Sequence, residues 1–169
     1  GITDRDQAKT FIYAFLYGAG AEKIGNIVGG SRKKGQELID KFLSNMPDLK
    51  RLRNSVQEAA QRHKIKGIDG RYLHTRSPHS ALNTLIQGAG ATVCKDWLIN
   101  MITRINRQGL DAKLVASIHD EYQFEVAKKD IKQFGIITKE GIKDTERNLK
   151  FNCPLDSTWK DGETWATTH

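Results

Sequence analysis

Apolar positions near the start of the chain recur at helical spacing: Ala8, Phe11, Ile12, Phe15, Leu16 and Ala19 form one stripe. Beside it, Arg5, Lys9, Tyr13 and Tyr17 recur every four residues. A helix turns by about 100° per residue, so steps of four drift by about 40° and these side chains form one slowly winding polar stripe. The pattern predicts a helix with one face that packs and one that waits for a ligand. Thr3 followed by Asp6 reads as a capping box at its start, and Gly18 and Gly20 close it. A short second helix over 21–28 ends at Gly29 and Gly30. Ser31 then caps a basic helix reaching about Asn45, and Pro47 opens a fourth with Leu49, Leu52, Val56 and Ala59 on one side.

The period changes over residues 64–75, where Ile65, Ile68 and Tyr72 surround Asp69-Gly70, a pair that favours a tight hairpin turn. Ser77-Pro78 starts a long helix over about 78–107, whose stretch from Gln87 to Ala91 is nearly all small residues. Small side chains suit tight helix packing or close approach of a nucleic-acid strand. Residues 112–126 read as a second hairpin, with Leu114, Ala116 and Ile118 on one face of the first arm, Tyr122, Phe124 and Val126 on the second, and His119, Asp120 and Glu121 at the bend. A helix over about 129–148 follows, and the tail has room for a short strand near 155–158.

Composition narrows the partners. The 169 residues suffice for one domain, or a small domain with an added lobe. A net charge of +7, from 27 Lys and Arg against 20 Asp and Glu, fits a polyanionic partner such as nucleic acid and fits a solvated lysine surface equally. Cys94 and Cys153 lack metal-ligand or pairing spacing, which fits a reducing cytosol with both as packing residues. No apolar run has transmembrane length and no signal sequence opens the chain, so no membrane partner is expected and an intracellular place is.

Three polar constellations carry candidate chemistry. A sharp bend thrusts the carboxylates of Asp120 and Glu121 out of a hairpin while the strands fix them, as hard divalent ions require; turns also use Asp for local backbone bonding. On the long helix His79, Asn83 and Gln87 repeat every four residues, and each amide offers a donor and an acceptor suited to minor-groove base edges, or simply to water. Arg5 and Lys9 at a helix start make an anion site, with Tyr13 and Tyr17 placed to stack on a base or sugar. Phosphates, a base-pair edge and a metal are what a template-directed polymerase must hold together.

With these residues in view, the sequence resembles the family A DNA polymerases, and within them the phage branch. RDQAKTFIYAFLYGAG is similar to motif B on the nucleotide-binding fingers helix, RSPHSALNTLIQGAGA to the palm segment beside the nascent pair, and IHDE to motif C. The motifs stand in the family's order, and the likeness runs from residue 5 to about 126. It implies a fold of α+β class: a mainly helical fingers lobe, residues 1–63, and the C-terminal part of a palm, residues 64–169, with antiparallel hairpins backed by long helices.

The resemblance also implies roles. Arg5 and Lys9 hold the triphosphate, and Lys9 protonates the departing pyrophosphate. Tyr13 lies beside the incoming sugar, which implies tolerance of dideoxynucleotides, and Tyr17 lies under the templating or nascent pair. Asn83 and Gln87 contact the minor groove, His79 replaces an Arg of the bacterial branch, His119 touches the primer end, and Arg71 joins the DNA contacts. Asp120 ligates catalytic Mg²⁺, one of two ions in a complete site, with Glu121 in support.

The departures from the family pattern are equally specific. Motif A with the second catalytic aspartate, the ribose-screening glutamate, the thumb and the proofreading exonuclease are absent from this sequence. The connector before residue 64 is shorter than in phage relatives. The expected protein is therefore part of a split or truncated polymerase, broken between motifs A and B. It binds primer-template DNA and dNTP in the cytoplasm of an infected host and acts with an N-terminal polypeptide supplying thumb and motif A. The alternative is a catalytically inactive primer-template DNA-binding module; a purely structural reading of the stripes ranks last.

Overall fold

The first helix, α1 (Arg5–Leu16), begins where Asp4 accepts a hydrogen bond from the Gln7 backbone N–H at 2.7 Å. The computed structural model describes residues 4–168; the expected cap Thr3 lies outside them. Short α2 (Ala21–Ile27), α3 (Arg32–Asn45) and α4 (Pro47–Gln61) follow. Ser31 caps α3 through the Lys34 N–H, and Pro47 stands in the first turn of α4, where its missing N–H costs nothing. These boundaries match the sequence reading within a residue or two.

Two small antiparallel ladders complete the secondary structure. Strands β1 (Ile65–Lys66) and β2 (Tyr72–Leu73) pair Ile65 with Leu73 and Lys66 with Tyr72. The expected tight turn at Asp69-Gly70 is instead a five-residue loop over 67–71, closed by the Gly67 N–H donating to the Arg71 carbonyl at 2.8 Å. A 3-10 turn (Pro78–Ser80) leads into the 28-residue helix α5 (Ala81–Gln108). Strands β3 (Ala112–Ile118) and β4 (Glu121–Val126) form the second hairpin, a further 3-10 turn (Lys128–Asp130) leads into α6 (Ile131–Asn148), and α7 (Trp165–Thr168) is a single turn. Helices with two small antiparallel ladders make this an α+β fold. The chain divides into two compact units, Gly1–Gly88 and Ala89–His169, with the division inside α5.

In the first unit, Phe11 and Phe15 of α1 are buried with Ile24, Ile39, Leu43 and Leu82. Both rings meet Phe42 edge-on at 5.2 Å. Burying each such ring contributes about 1.5–3 kcal/mol, so this side of α1 fixes the helix and leaves its other side free. Ile12, assigned by spacing to the packing stripe, is 41% exposed and flanks Tyr13 instead. Helices α2 and α3 pack closely enough that a Cβ on Gly35 would stand 1.9 Å from the Ala21 carbonyl oxygen. A separate cluster joins Val56 and Ala60 of α4 to Ile65 and Ala81, which seats the β1–β2 hairpin on α4.

In the second unit, Met101 and Ile105 of α5 pack on Ile137 of α6, with Tyr122 and Phe124 of β4 partly buried beside them. The predicted alternation in β3 holds only to Leu114. A bulge follows, so Leu114 pairs with Phe124 but Ala116 with Gln123 and Ile118 with Glu121. One extra residue moves Ala116 and Ile118 to the face opposite Leu114, Tyr122 and Phe124, and leaves Val115 67% exposed. The strand expected near 155–158 does not form. The Leu155 N–H, a group a ladder would use, donates instead to Glu146 of α6 at 2.7 Å, and the Ser157 hydroxyl ties the tail to the Thr138 carbonyl at 3.2 Å. Cys153 is exposed rather than a packing residue, while Cys94 is partly buried.

Candidate functional site

The first unit carries the α1 stripe. Arg5, Lys9, Tyr13 and Tyr17 are all exposed, the two tyrosines at 51% and 57%. The side chains of Arg5, Lys9 and Tyr13 make no hydrogen bond or ion pair among the described residues. Two cations and an aromatic ring thus stand on a rigid helix whose opposite side is locked by Phe11 and Phe15. That arrangement can receive an anion and a flat ring without first breaking internal contacts.

The end of α1 is tied to the start of α5. Gln87 donates through Nε2 to the Tyr17 hydroxyl at 3.2 Å. One residue on, Gly18 has φ +79°, and a Cβ there would stand 2.7 Å from the His79 carbonyl oxygen. His79, expected on the long helix, lies in the preceding 3-10 turn. Asn83 is partly buried with no hydrogen bond of its side chain among the described residues, and Gln87 is exposed. The unit therefore brings the stripe and the Asn83–Gln87 pair together at Tyr17. Within the stretch of small residues, a Cβ on Gly88 would stand 3.2 Å from the Leu73 side chain, while one on Gly90 would meet nothing within 4 Å. Packing of the β1–β2 hairpin on α5 thus accounts for the first glycine and not the second. Arg71 is exposed, but its Nε donates to Asp69 at 2.6 Å, and the guanidinium holds that carboxyl below the usual aspartate range.

The second unit carries the hairpin bend. His119 and Asp120 form a two-residue turn between the paired Ile118 and Glu121, and His119 has φ +54°, a left-handed conformation that side chains rarely adopt. Asp120 is exposed; Glu121 is half-buried and accepts a hydrogen bond from Gln123. Beside them opens a cavity of about 1160 Å³, lined by Asp120, Glu121, Tyr122, Trp97, Trp159 and Trp165 among others. Burial pushes the Cys94 thiol up, and the charge of Asp120 adds to the rise. The Tyr122 phenol, tilted against Trp97 with 5.4 Å between rings, is raised chiefly by burial as well. Sequence reasoning assigned nothing to Trp97, Trp159 or Trp165. Trp159 stands in the irregular tail and Trp165 opens α7, and only folding brings Trp159 onto Gly135 of α6.

Carboxylate oxygens are the donor chemistry a hard divalent cation takes; Asp120 presents one exposed at the bend, while Glu121 beside it is half-buried and bonded to Gln123. Among the described residues, no three His, Cys, Asp or Glu side chains converge in a way that could hold a metal ion. No helix among them is long and apolar enough to cross a membrane.

Comparison with known proteins assigns the chain. The family model for DNA polymerase family A matches residues 2–167. The DNA-directed DNA polymerase of Escherichia phage T7 is 43% identical over 190 aligned positions, covering 99% of this chain and 27% of that protein. The polymerase of Escherichia phage Phieco32 is 37% identical, covering the whole chain and 29% of its own length, and DNA polymerase I of Bacillus subtilis is 30% identical over 95% and 19%. The chain thus spans between a fifth and a third of the length of these relatives. In fold it is similar to the POL domain of Pol1 from M. smegmatis, solved in complex with DNA primer-template and dNTP, with a TM-score of 0.74 over 83% of this chain and 27% of that one, at 22% identity. On the family match over residues 2–167 and the likeness to the phage polymerases, the chain belongs to DNA polymerase family A.

Proposed function

We infer that this chain is the fingers and C-terminal palm portion of a template-directed DNA polymerase, joining deoxynucleotides to a primer 3′ end. In this reading the complete site also needs a thumb and a second catalytic aspartate, which these 169 residues do not include. The observation that carries the reading is the pair of carboxylates, Asp120 and Glu121, on a strained bend of a two-stranded hairpin. Phosphoryl transfer needs little from a protein beyond positioning and charge compensation, so a rigid bend presenting carboxylates is the feature that chemistry selects.

Each side chain then has a task. Arg5 and Lys9 bind the triphosphate oxygens, and Lys9 delivers a proton to the pyrophosphate as it leaves. Tyr13 lies beside the sugar of the incoming nucleotide and Tyr17 under the templating pair. Asn83 and Gln87 test pair shape from the minor groove, where acceptor positions are similar for every base pair. His79 and Arg71 contact DNA, and His119 the primer terminus. Asp120 would hold Mg²⁺ with Glu121 near it. When bound, the metal would supply Lewis-acid charge at the reacting phosphate. The work is done in the cytoplasm of an infected host.

The second reading is a primer-template binding module without catalysis, which the net charge of +7 would serve equally well. Asp120→Asn separates the two. Under the enzyme reading it abolishes synthesis by this chain complemented with a polypeptide carrying the thumb and motif A, while primer-template affinity stays within about twofold. Synthesis by that variant at the wild-type rate would refute a role for Asp120 in catalysis.

A further inference from the structure

We propose that the β1–β2 hairpin of the first unit is a platform for an unpaired nucleic-acid strand, with a base stacked on Tyr72 and the backbone phosphates held by the cations around it. Charge is concentrated here. Residues 62–76, RHKIKGIDGRYLHTR, hold Arg62, Lys64, Lys66, Arg71 and Arg76 against Asp69 alone, a net +4 of the +7 that the whole chain carries. Asp69 is committed to Arg71 within the loop, and Lys64, Lys66 and Arg76 take part in no ion pair among the described residues.

The ladder fixes which side these groups take. Ile65 and Leu73 are cross-strand partners; Ile65 is 3% exposed and both pack in the cluster with Val56 and Ala60. Strand alternation therefore turns the other pair, Lys66 and Tyr72, to solvent. Tyr72 is 64% exposed, and the Lys66 ammonium lies 5.5 Å from its ring centroid. Among the described residues the ring has no hydrogen bond and no aromatic neighbour, so its contact is with a cation rather than with a core. Lys64 and His74 flank the pair, both exposed.

An exposed aromatic face bordered by unpaired lysines on a short ladder seated on α4 is the combination that binds single strands. Bases stack on the ring whatever their identity, and phosphates release their counterions to the lysines. A duplex, whose bases are already stacked, gains nothing from Tyr72. The inference is separable from the catalytic reading, because it concerns equilibrium binding by a hairpin that holds none of the carboxylates.

The test uses the full chain and fluorescence anisotropy with a labelled oligothymidylate, the same strand made abasic, and a blunt duplex. The wild-type chain should bind the intact strand more tightly than the abasic one. Tyr72→Ala should lose about fivefold or more on the intact strand and nothing on the abasic one, whereas Tyr72→Phe should keep wild-type binding. Lys66→Gln should weaken both strands and reduce the salt slope by about 0.7. Thermal melts of Tyr72→Phe and Tyr72→Ala that coincide exclude a folding defect. Equal binding of intact and abasic strands by the wild type would overturn the proposal, as would unchanged binding by Tyr72→Ala. Displacement of the strand by polyglutamate with no loss in Tyr72→Ala would also overturn it and assign the patch to an acidic polypeptide.

Discussion

The Gln87 side-chain amide donates to the Tyr17 hydroxyl at 3.2 Å, across 70 residues of sequence, joining the C-cap of α1 to the Asn83–Gln87 pair on α5. If both residues contact DNA or nucleotide as proposed, the bond couples their tasks. Tyr17→Phe and Gln87→Ala should each change stability by less than about 0.5 kcal/mol, since both side chains are exposed. In a double-mutant cycle on nucleotide affinity of the primer-template complex, the pair should show a coupling of about 0.5–1 kcal/mol. Strictly additive losses would mean that the two side chains act separately.

Gly18 and Gly29 both have positive φ, but only Gly18 abuts backbone, at the His79 carbonyl. Gly29→Ala should cost about 1 kcal/mol from the left-handed conformation alone. Gly18→Ala adds a steric conflict that must move the Pro78–Ser80 turn, and should cost about 1–3 kcal/mol more in thermal or denaturant unfolding. Equal costs would place the end of α1 away from His79.

Arg104 of α5 donates through Nε to Asp144 of α6 at 2.7 Å and also pairs with Glu140. The bond from Arg104 is the main reason that the Asp144 carboxyl titrates below the ordinary aspartate value of 3.8, with Arg147 adding to it. A depressed pKa contributes stability that is present in full above the unfolded value and is lost as pH falls through the folded one. Arg104→Ala should therefore destabilise by about 1 kcal/mol near neutral pH. Its gap from the wild type should narrow as pH drops below about 4. A gap independent of pH would show that Arg104 stabilises by packing alone.

Much of this was legible in the sequence because each feature had a local cause. The exposed α1 stripe follows from four-residue spacing opposite Phe11 and Phe15, and helix boundaries follow from Ser31, Pro47 and the glycines. What was not legible depends on distant partners. The bulge at Val115 reverses the faces of Ala116 and Ile118, and nothing in AKLVASI marks it, since every residue there suits either face. In the tail, where a strand was expected, the Leu155 N–H goes to the Glu146 carboxylate and the Ser157 hydroxyl to the Thr138 carbonyl, groups that helix α6 brings close. The Tyr17–Gln87 bond and the tryptophan-lined cavity beside Asp120 likewise exist only once the chain has folded.

Among the described residues Tyr13 makes no hydrogen bond, and half of its surface is open. Beside a nucleotide sugar its hydroxyl can occupy the place of a missing 3′-hydroxyl. Tyr13→Phe should therefore reduce incorporation of dideoxynucleotides by about tenfold or more relative to deoxynucleotides in the assembled polymerase, with little effect on folding. An unchanged ratio would remove Tyr13 from the sugar site.

The central claim is that these residues hold one part of a polymerase site and need a thumb and a second catalytic aspartate for the rest. Primer extension with Mg²⁺ and all four deoxynucleotides tests it most directly, using the chain alone and then mixed with a polypeptide carrying the thumb and motif A. The account predicts synthesis only in the mixture, lost again with Asp120→Asn. Synthesis by the chain alone would contradict it, as would silence from a mixture whose two polypeptides demonstrably associate.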